Sequence, residues 1–302
     1  MTVTADEITR HDVGEPLPEP ILGSLSPSRA ADFKTCPLLY RFRTIDRLPE
    51  APSKAATRGT VVHSVLERVY DLPAAGRTNA AARELVGPAW EQLLTDDPRV
   101  AELFAADEDG SELAQWLASA GDLVDNYFAL EDPARLEPES REQLVEFVID
   151  GVRLRGYVDR IDVSPAGDIR VVDYKTGSVP REAFEGKALF QMKFYALVLW
   201  RLRGVVPRQL RLMYLADRDT LSYAPDADEL QRFERTLKAI WKAIARASET
   251  GDFRPSPSRL CAWCDHQALC PSFGGTPPPF PADALAASNR DRRLTPPETP
   301  AQ

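Results

Sequence analysis

LVEFVIDGVRLRGYVDRIDVSPAGDIRVVDYKTG, residues 144–177, decides how this chain folds. Its first run, LVEFVI (144–149), meets VRLRGYVDRIDV (152–163) across Asp150-Gly151, a dipeptide that suits a two-residue hairpin turn because both central positions take positive φ. SPAGD (164–168) turns the chain again into IRVVDYK (169–175), so the spacing predicts a three-stranded meander. Asp173 and Lys175 are two apart and therefore face one side of the last strand. Val171 and Val172 precede them and Gly177 follows, the pattern of a mostly buried strand that carries charge only at its end. Burying an acid beside a lysine costs free energy unless both are paired or bound, for instance to a metal and a phosphate. Asp159, Asp173 and Lys175 are therefore the first candidate site residues.

Outward from the meander, KALFQMKFYALVLWRLRG (187–204) reads as a helix covering the sheet and closed by Gly204. QLRLMYLAD and TLSYA read as two more strands, and 226–250 as an amphipathic helix. Upstream, Ser26 caps and Pro27 starts a helix over about 27–36, and RGTVVHSVLERVY (58–70) has valines and leucines at helical spacing, which places His63 on a helix. Residues 78–132 read as an acidic helical insertion with Trp90, Trp116 and Tyr127 among its buried stripes. The order of elements predicts an α/β fold, a mixed central sheet flanked by helices. Residues 1–22 read as a flexible arm and 274–302, rich in proline, as a disordered tail.

The net charge of −9 argues against a protein that coats nucleic acid through bulk charge. Its distribution is uneven: residues 28–60 carry seven basic against three acidic side chains, while 84–150 carry eighteen acidic against three basic. A polyanion would meet the first segment, where Arg41, Arg43 and Arg58 are the candidate contacts, and avoid the second. No apolar run approaches the roughly 18–20 residues of a membrane helix, and the first residues lack the apolar stretch of a signal peptide. The expectation is a cytoplasmic protein with no membrane partner. No GxxxxGK[ST] loop is present, so the chain is not expected to be an ATP-driven motor by itself.

Phosphodiester hydrolysis needs a cation between carboxylates and a phosphate oxygen, plus a positioned water. Two aspartates on neighbouring strands suit magnesium or manganese. A lysine beside them could orient the water and stabilise charge building on phosphorus. The same three residues would also serve as an ordinary strand-end ion pair with an aspartate in a nearby turn.

Asp159 followed by Asp173-Tyr174-Lys175 resembles the split motif of the PD-(D/E)XK nuclease superfamily, and GYVDRID with VVDYKTG resembles its RecB-like exonuclease branch. RGTVVHSVLE resembles that branch's upstream motif, with Gly59 and a metal-binding helical His63, and Gln191 with Tyr195 resembles its QxxxY motif. At i and i+4 those two share one helix face. The resemblance implies a restriction-endonuclease-like core over residues 23–273. It implies Mg2+ or Mn2+ held by His63, Asp159, Asp173 and the Tyr174 carbonyl, with Lys175 assisting the water. Gln191 and Tyr195 would support the site, and Tyr195 would touch DNA. The implied activity is exonucleolytic cleavage of single-stranded DNA ends in repair or recombination, with a helicase or other repair protein as partner. Competing readings are a non-catalytic DNA-end-binding subunit of a helicase-nuclease assembly and a zinc-binding adaptor.

Cys261, Cys264 and Cys270 form CxxCxxxxxC within 255–273, and Cys36 is the only other cysteine. The trio has ligand spacing. Spacing alone leaves open zinc, with Cys36 or His266 as a fourth ligand, or an iron-sulfur cluster held by four thiolates. The resemblance implies the latter: iron-sulfur members of the branch, AddB-type and CRISPR-associated nucleases, bind a [4Fe-4S] cluster through one cysteine before the core and three after it. The implied role is a clasp joining the two ends of the nuclease domain.

Overall fold

A computed structural model describes residues 23–179 and 182–281. The chain runs β1 (Gly23–Leu25), α1 (Pro27–Thr35), α2 (Pro37–Tyr40) continuing into a π-helical turn (Arg41–Ile45), and α3 (Lys54–Arg68). Three helices follow, α4 (Asn79–Glu84), α5 (Val86–Asp96) and α6 (Ser111–Leu130). The meander is β2 (Ser140–Ile149), β3 (Val152–Val163) and β4 (Ile169–Lys175). After it come α7 (Glu182–Arg203), β5 (Gln209–Tyr214), β6 (Asp219–Tyr223) and α8 (Ala227–Thr250). Ser26 caps α1 by accepting the Arg29 N–H, and Asp226 caps α8 by accepting the Glu229 N–H.

The sheet is mixed. β2 pairs antiparallel along nearly all of β3, from Ile149 opposite Val152 to Ser140 opposite Ile161. A strand has two edges, so β1 and β4 must share the other one. β1 lies parallel to Val152–Leu154, and β4 antiparallel to Arg160–Val163. Residues 155–159 of β3 are left between them without a strand neighbour on that edge. β5 then pairs parallel with β4, and β6 antiparallel with β5. β1 was not foreseen: three residues offer too few positions for an alternating pattern to show.

Helices cover both faces. On one, Ile169 and Val171 of β4 and Leu210 and Leu212 of β5 pack with α1, α7 and α8. On the other, Val172, Tyr174 and Met213 pack with α3, α5 and α6. The predicted insertion is thus the outer part of a second core with α3: Val61, Val62 and Val65 are buried with Trp90, Trp116 and Leu123, and Trp116 Nε1 donates to the Lys54 carbonyl of α3 at 3.1 Å. Within β3 the strict alternation breaks. Val152, Leu154 and Val158 face the α7 side, and so do Ile161 and Val163. The face therefore switches parity at Asp159 and Arg160, which turns the Arg160 side chain toward α3 and α6.

Two expectations are corrected here. The tail boundary at 274 falls too early: Phe280 packs on Phe253 with ring centroids 5.8 Å apart, and Arg41 donates to the Pro278 carbonyl. The proline-rich composition misled because an aromatic among prolines can still anchor the segment. Arg41 is itself 6% exposed, paired with Asp46 at 2.9 Å and stacked over Phe280, so its guanidinium is not available to a phosphate. The expected arm, residues 1–22, and residues 282–302 lie outside the described residues. No described helix is long and apolar enough to cross a membrane.

Candidate active site

β4 ends between the two helical layers, and its last three residues divide between them. Asp173 and Lys175 continue the α7-facing register of Ile169 and Val171, while Tyr174 faces α3 and α6. Asp173 is 2% exposed. Lys175 Nζ lies 2.6 Å from Asp173 Oδ2 and donates to Gln191 Oε1 at 2.9 Å. Gln191 Nε2 in turn donates to Asp173 Oδ1 at 2.9 Å and to the Tyr195 hydroxyl at 3.1 Å. The i, i+4 pair on α7 therefore closes a ring with the acid and the lysine. Tyr195 can approach because Gly156 of β3 has no side chain: a Cβ there would sit 2.7 Å from the Tyr195 ring.

Asp159 reaches the same place through the gap in the β3 edge. Its Oδ2 accepts the Tyr174 N–H at 2.7 Å, replacing a ladder bond where β4 leaves β3 after Val172. His63 comes from the opposite layer. Gly59 lets α3 close on the end of β4, since a Cβ there would meet the Thr176 hydroxyl at 3.2 Å. One turn later His63 Nε2 lies 3.0 Å from the Tyr174 carbonyl oxygen, and Nδ1 lies 3.5 Å from Asp159 Oδ2 and 3.6 Å from Glu142 Oε1. His63, Asp159, Asp173, Tyr174, Lys175, Gln191 and Tyr195 thus converge on one end of the sheet.

The electrostatics suit a cation. Burial alone would lower the His63 pKa, but Asp159, Glu142 and Asp173 raise it to about 10. Burial pushes the Asp173 carboxyl up, Lys175 offsets part of that, and Asp159 adds to it. Burial would likewise lower Lys175, and Asp173 holds it above its ordinary value. Three carboxylates crowd one lysine and one imidazole, so a proton is held where a divalent ion would neutralise charge. Among the described residues, one group of three His, Cys or carboxylate side chains brings its ligand atoms within 4.8 Å of one another: His63, Glu142 and Asp159. Sequence reasoning missed Glu142. In SREQLVEFVI it has no motif around it, and nothing in the pattern shows that its pairing with β3 lapses there.

The other candidates lie elsewhere. Arg43 is held by Asp32 at 2.7 Å and Glu50 at 2.6 Å. Arg58 donates to the Ser119 hydroxyl on α6 at 3.2 Å. Cys36, Cys261, Cys264 and Cys270 line a single apolar cavity of about 60 Å³ with Leu38 and Phe42. Backbone N–H groups point at two of the sulfurs, Ser256 to Cys36 and Ser258 to Cys261, each at 3.3 Å. Burial and the neighbouring Cys261 and Cys36 push the Cys264 thiol above its ordinary pKa. His266 turns away to Glu50 at 3.1 Å and packs edge-on against Phe42.

Known proteins resemble this chain at three levels. Gene 69 protein of Mycobacterium phage L5 is 25% identical over 289 residues, covering 82% of this chain and 96% of the relative. Gene 69 protein of Mycobacterium phage D29 is 25% identical over 274 residues with the same coverage. A solved structure of a candidate exonuclease from Eubacterium rectale superposes with a TM-score of 0.54 at 13% identity, covering 88% of this chain and 93% of its own, and shares the fold. The family model of the PD-(D/E)XK nuclease superfamily matches residues 24–271, a span that holds every residue of the site and all four cysteines. The chain belongs to the PD-(D/E)XK nuclease superfamily.

Proposed function

We propose that the protein is a metal-dependent DNA nuclease of the RecB-like type that removes nucleotides from single-stranded ends. The observation that carries this reading is the convergence of Asp159, Asp173, Lys175 and His63 at the end of β4, with Gln191 joining the acid to the lysine. Asp159, Asp173, His63 and the Tyr174 carbonyl would hold Mg2+ or Mn2+, which when bound polarises the phosphate and lowers the pKa of a water. Lys175 is positioned by Gln191 and Asp173 to hold that water by a hydrogen bond and to stabilise charge developing on the phosphoryl oxygens. Gln191 spans both partners and keeps the Lys175 ammonium from swinging out. Tyr195 supports Gln191 from within the core: it is 5% exposed, its ring lies over Gly156 and its hydroxyl accepts from Gln191, so its part is to hold the site rather than to touch DNA.

The four cysteines fit a [4Fe-4S] cluster. They share one apolar cavity and have backbone N–H donors aimed at sulfur, the environment that thiolate-held clusters use. The uneven charge of the chain favours DNA entering beside α1–α3 and away from the acidic helices.

The test is an anaerobic assay on end-labelled single- and double-stranded DNA with Mg2+ or Mn2+. Wild type should shorten single strands from an end. Asp173→Ala should abolish cleavage, and Lys175→Ala should slow it by about 10²–10³-fold, the cost of losing a charge-stabilising donor, with circular dichroism unchanged. A wild type that binds DNA but cuts nothing, or variants that cut as well as wild type, would overturn the reading.

A further inference from the structure

Glu142 sits beside the candidate metal site in a backbone conformation that its strand does not require. Four described non-glycine residues have positive φ: Arg47 at 54°, Glu142 at 43°, Asp150 at 50° and Arg218 at 53°. Asp150 lies in the β2–β3 turn and Arg218 in the β5–β6 turn, Arg47 follows the π-helical turn, and Glu142 alone lies inside a strand. The ladder shows the effect. Arg141 pairs with Arg160 and Gln143 with Val158, but the intervening pair, Glu142 with Asp159, drops out. A regular ladder would set the two carboxylates directly opposite, a repulsive arrangement. Instead both turn to His63.

Each ring nitrogen of His63 then has distinct surroundings. Nε2 lies 3.0 Å from the Tyr174 carbonyl, one of the groups assigned to the cation under Proposed function, on which this inference rests. With Nε2 and that carbonyl aimed at one cation, Nδ1 is the nitrogen that keeps its proton and needs an acceptor. Asp159 is itself a proposed ligand and its Oδ2 already accepts the Tyr174 N–H. Glu142 Oε1, 3.6 Å from Nδ1, is the remaining carboxylate, and a shift of a few tenths of an ångström brings it into hydrogen-bond range.

We propose that Glu142 is a positioning residue: it accepts the Nδ1 proton of His63, fixes the tautomer that turns the Nε2 lone pair to the cation, and holds its strained backbone for that purpose. Its carboxylate lies within 4.8 Å of ligand atoms of His63 and Asp159, but on this assignment it faces Nδ1, the nitrogen turned from the cation, and so holds the ligand rather than the ion.

The experiment measures Mn2+ affinity of the full chain by electron paramagnetic resonance, together with the 15N spectrum of histidine in the Mg2+-loaded protein. Only three histidines occur in the sequence, so His63 is identified by difference from His63→Asn. Glu142→Gln should weaken Mn2+ binding about 10–100-fold, the usual effect of losing such a partner, and should move the His63 nitrogens off the single-tautomer pattern. Glu142→Asp should recover part of both. Glu142→Gly removes the strain and the carboxylate together, so it should bind Mn2+ as weakly as Glu142→Gln yet melt at a higher temperature than that variant. Glu142→Gln and Glu142→Gly binding Mn2+ within twofold of wild type, with His63 signals unchanged, would overturn the proposal. Asp173→Ala separates the two failures. If it binds Mn2+ as wild type does, the metal-site reading falls and this one with it; if it loses Mn2+ while Glu142→Gln keeps it, this one falls alone.

Discussion

Arg160 shows what a single residue can hold together and how far a sequence reveals it. The side chain has no exposed surface. Its Nη1 donates to Glu131 Oε1 at 2.6 Å and to the Tyr70 and Tyr174 hydroxyls at 2.7 and 2.8 Å, and Nη2 donates to Glu131 Oε2 at 3.1 Å. Arg211 adds a second guanidinium on Glu131 at 3.1 Å. Tyr174, flanked by Asp173 and Lys175, is therefore anchored from behind. Burial alone would raise the Glu131 pKa, but the Arg160 and Arg211 guanidinium groups more than offset it and hold the carboxyl below its ordinary value. The folded state thus gains stability from ionised Glu131, in full above the unfolded value of about 4.3. That gain is lost as pH falls through the lower folded value. Glu131→Gln should cost about 3–5 kcal/mol at pH 7, because it leaves buried guanidinium charge uncompensated. In urea unfolding, the gap between variant and wild type should narrow as pH drops below about 4.3; parallel curves down to pH 3 would refute this account. In GYVDRID a strict alternation puts Val158 and Arg160 on one face, whereas the structure turns Val158 toward α7 and Arg160 toward α3 and α6. The parity switch at Asp159 depends on long-range pairing with β2, so neither the Arg160 network nor Glu142 could be read from local pattern, whereas Asp173 and Lys175 needed only the period of two.

At the scale of elements, legibility followed length. The hairpin from 144 to 163, the helix at 226–250 with Asp226 at its start, and α7 were all long enough for periodicity and caps to agree. β1 was not, yet three residues position the whole N-terminal layer by pairing with Val152–Leu154. Its first residue explains why glycine stands there. A Cβ on Gly23 would lie 1.9 Å from the Trp241 ring of α8, and that ring is 5% exposed in the core. An indole packed on all sides cannot yield as an exposed lysine would. Gly23→Ala should therefore destabilise by about 1–3 kcal/mol, the usual cost of overpacking. Trp241→Leu, costly alone through its cavity, should cost less in the Gly23→Ala background than in wild type, since the added methyl then fills space. Additive losses in a thermal-unfolding double-mutant cycle would mean that β1 and α8 are not in contact through this pair.

Across the whole molecule, the two ends of the fold meet at α2 and its π-helical extension. Cys36 shares its cavity with Cys261, Cys264 and Cys270, Phe42 packs on His266, and Arg41 fastens Pro278 and Phe280. Spacing marked Cys261, Cys264 and Cys270 as a ligand-like trio, and only the family resemblance joined Cys36 to it. The sequence could not show the second fastener, because an arginine in a basic segment reads equally as a phosphate contact. The residues from Asp252 to Gly274 contain only short 3-10 turns, so little of their backbone is held by regular structure. Closing so long a loop by thiolate ligation is where a staple stabilises most in principle. Cys264→Ser should lose the broad absorption near 400 nm expected of the proposed cluster and expose 252–274 to trypsin. Arg41→Ala should free Phe280 while leaving that absorption intact. Cys36 and Arg41 flank one short helical turn, so the two fasteners share the element they grip. The double variant should then lose less protection than the sum of the single losses, because once α2 has come away from the 255–270 segment the second contact has little left to hold. Limited proteolysis of the three variants, with cleavage sites mapped by mass spectrometry, measures this; strictly additive cleavage rates would mean that the ends are tied by two independent clasps.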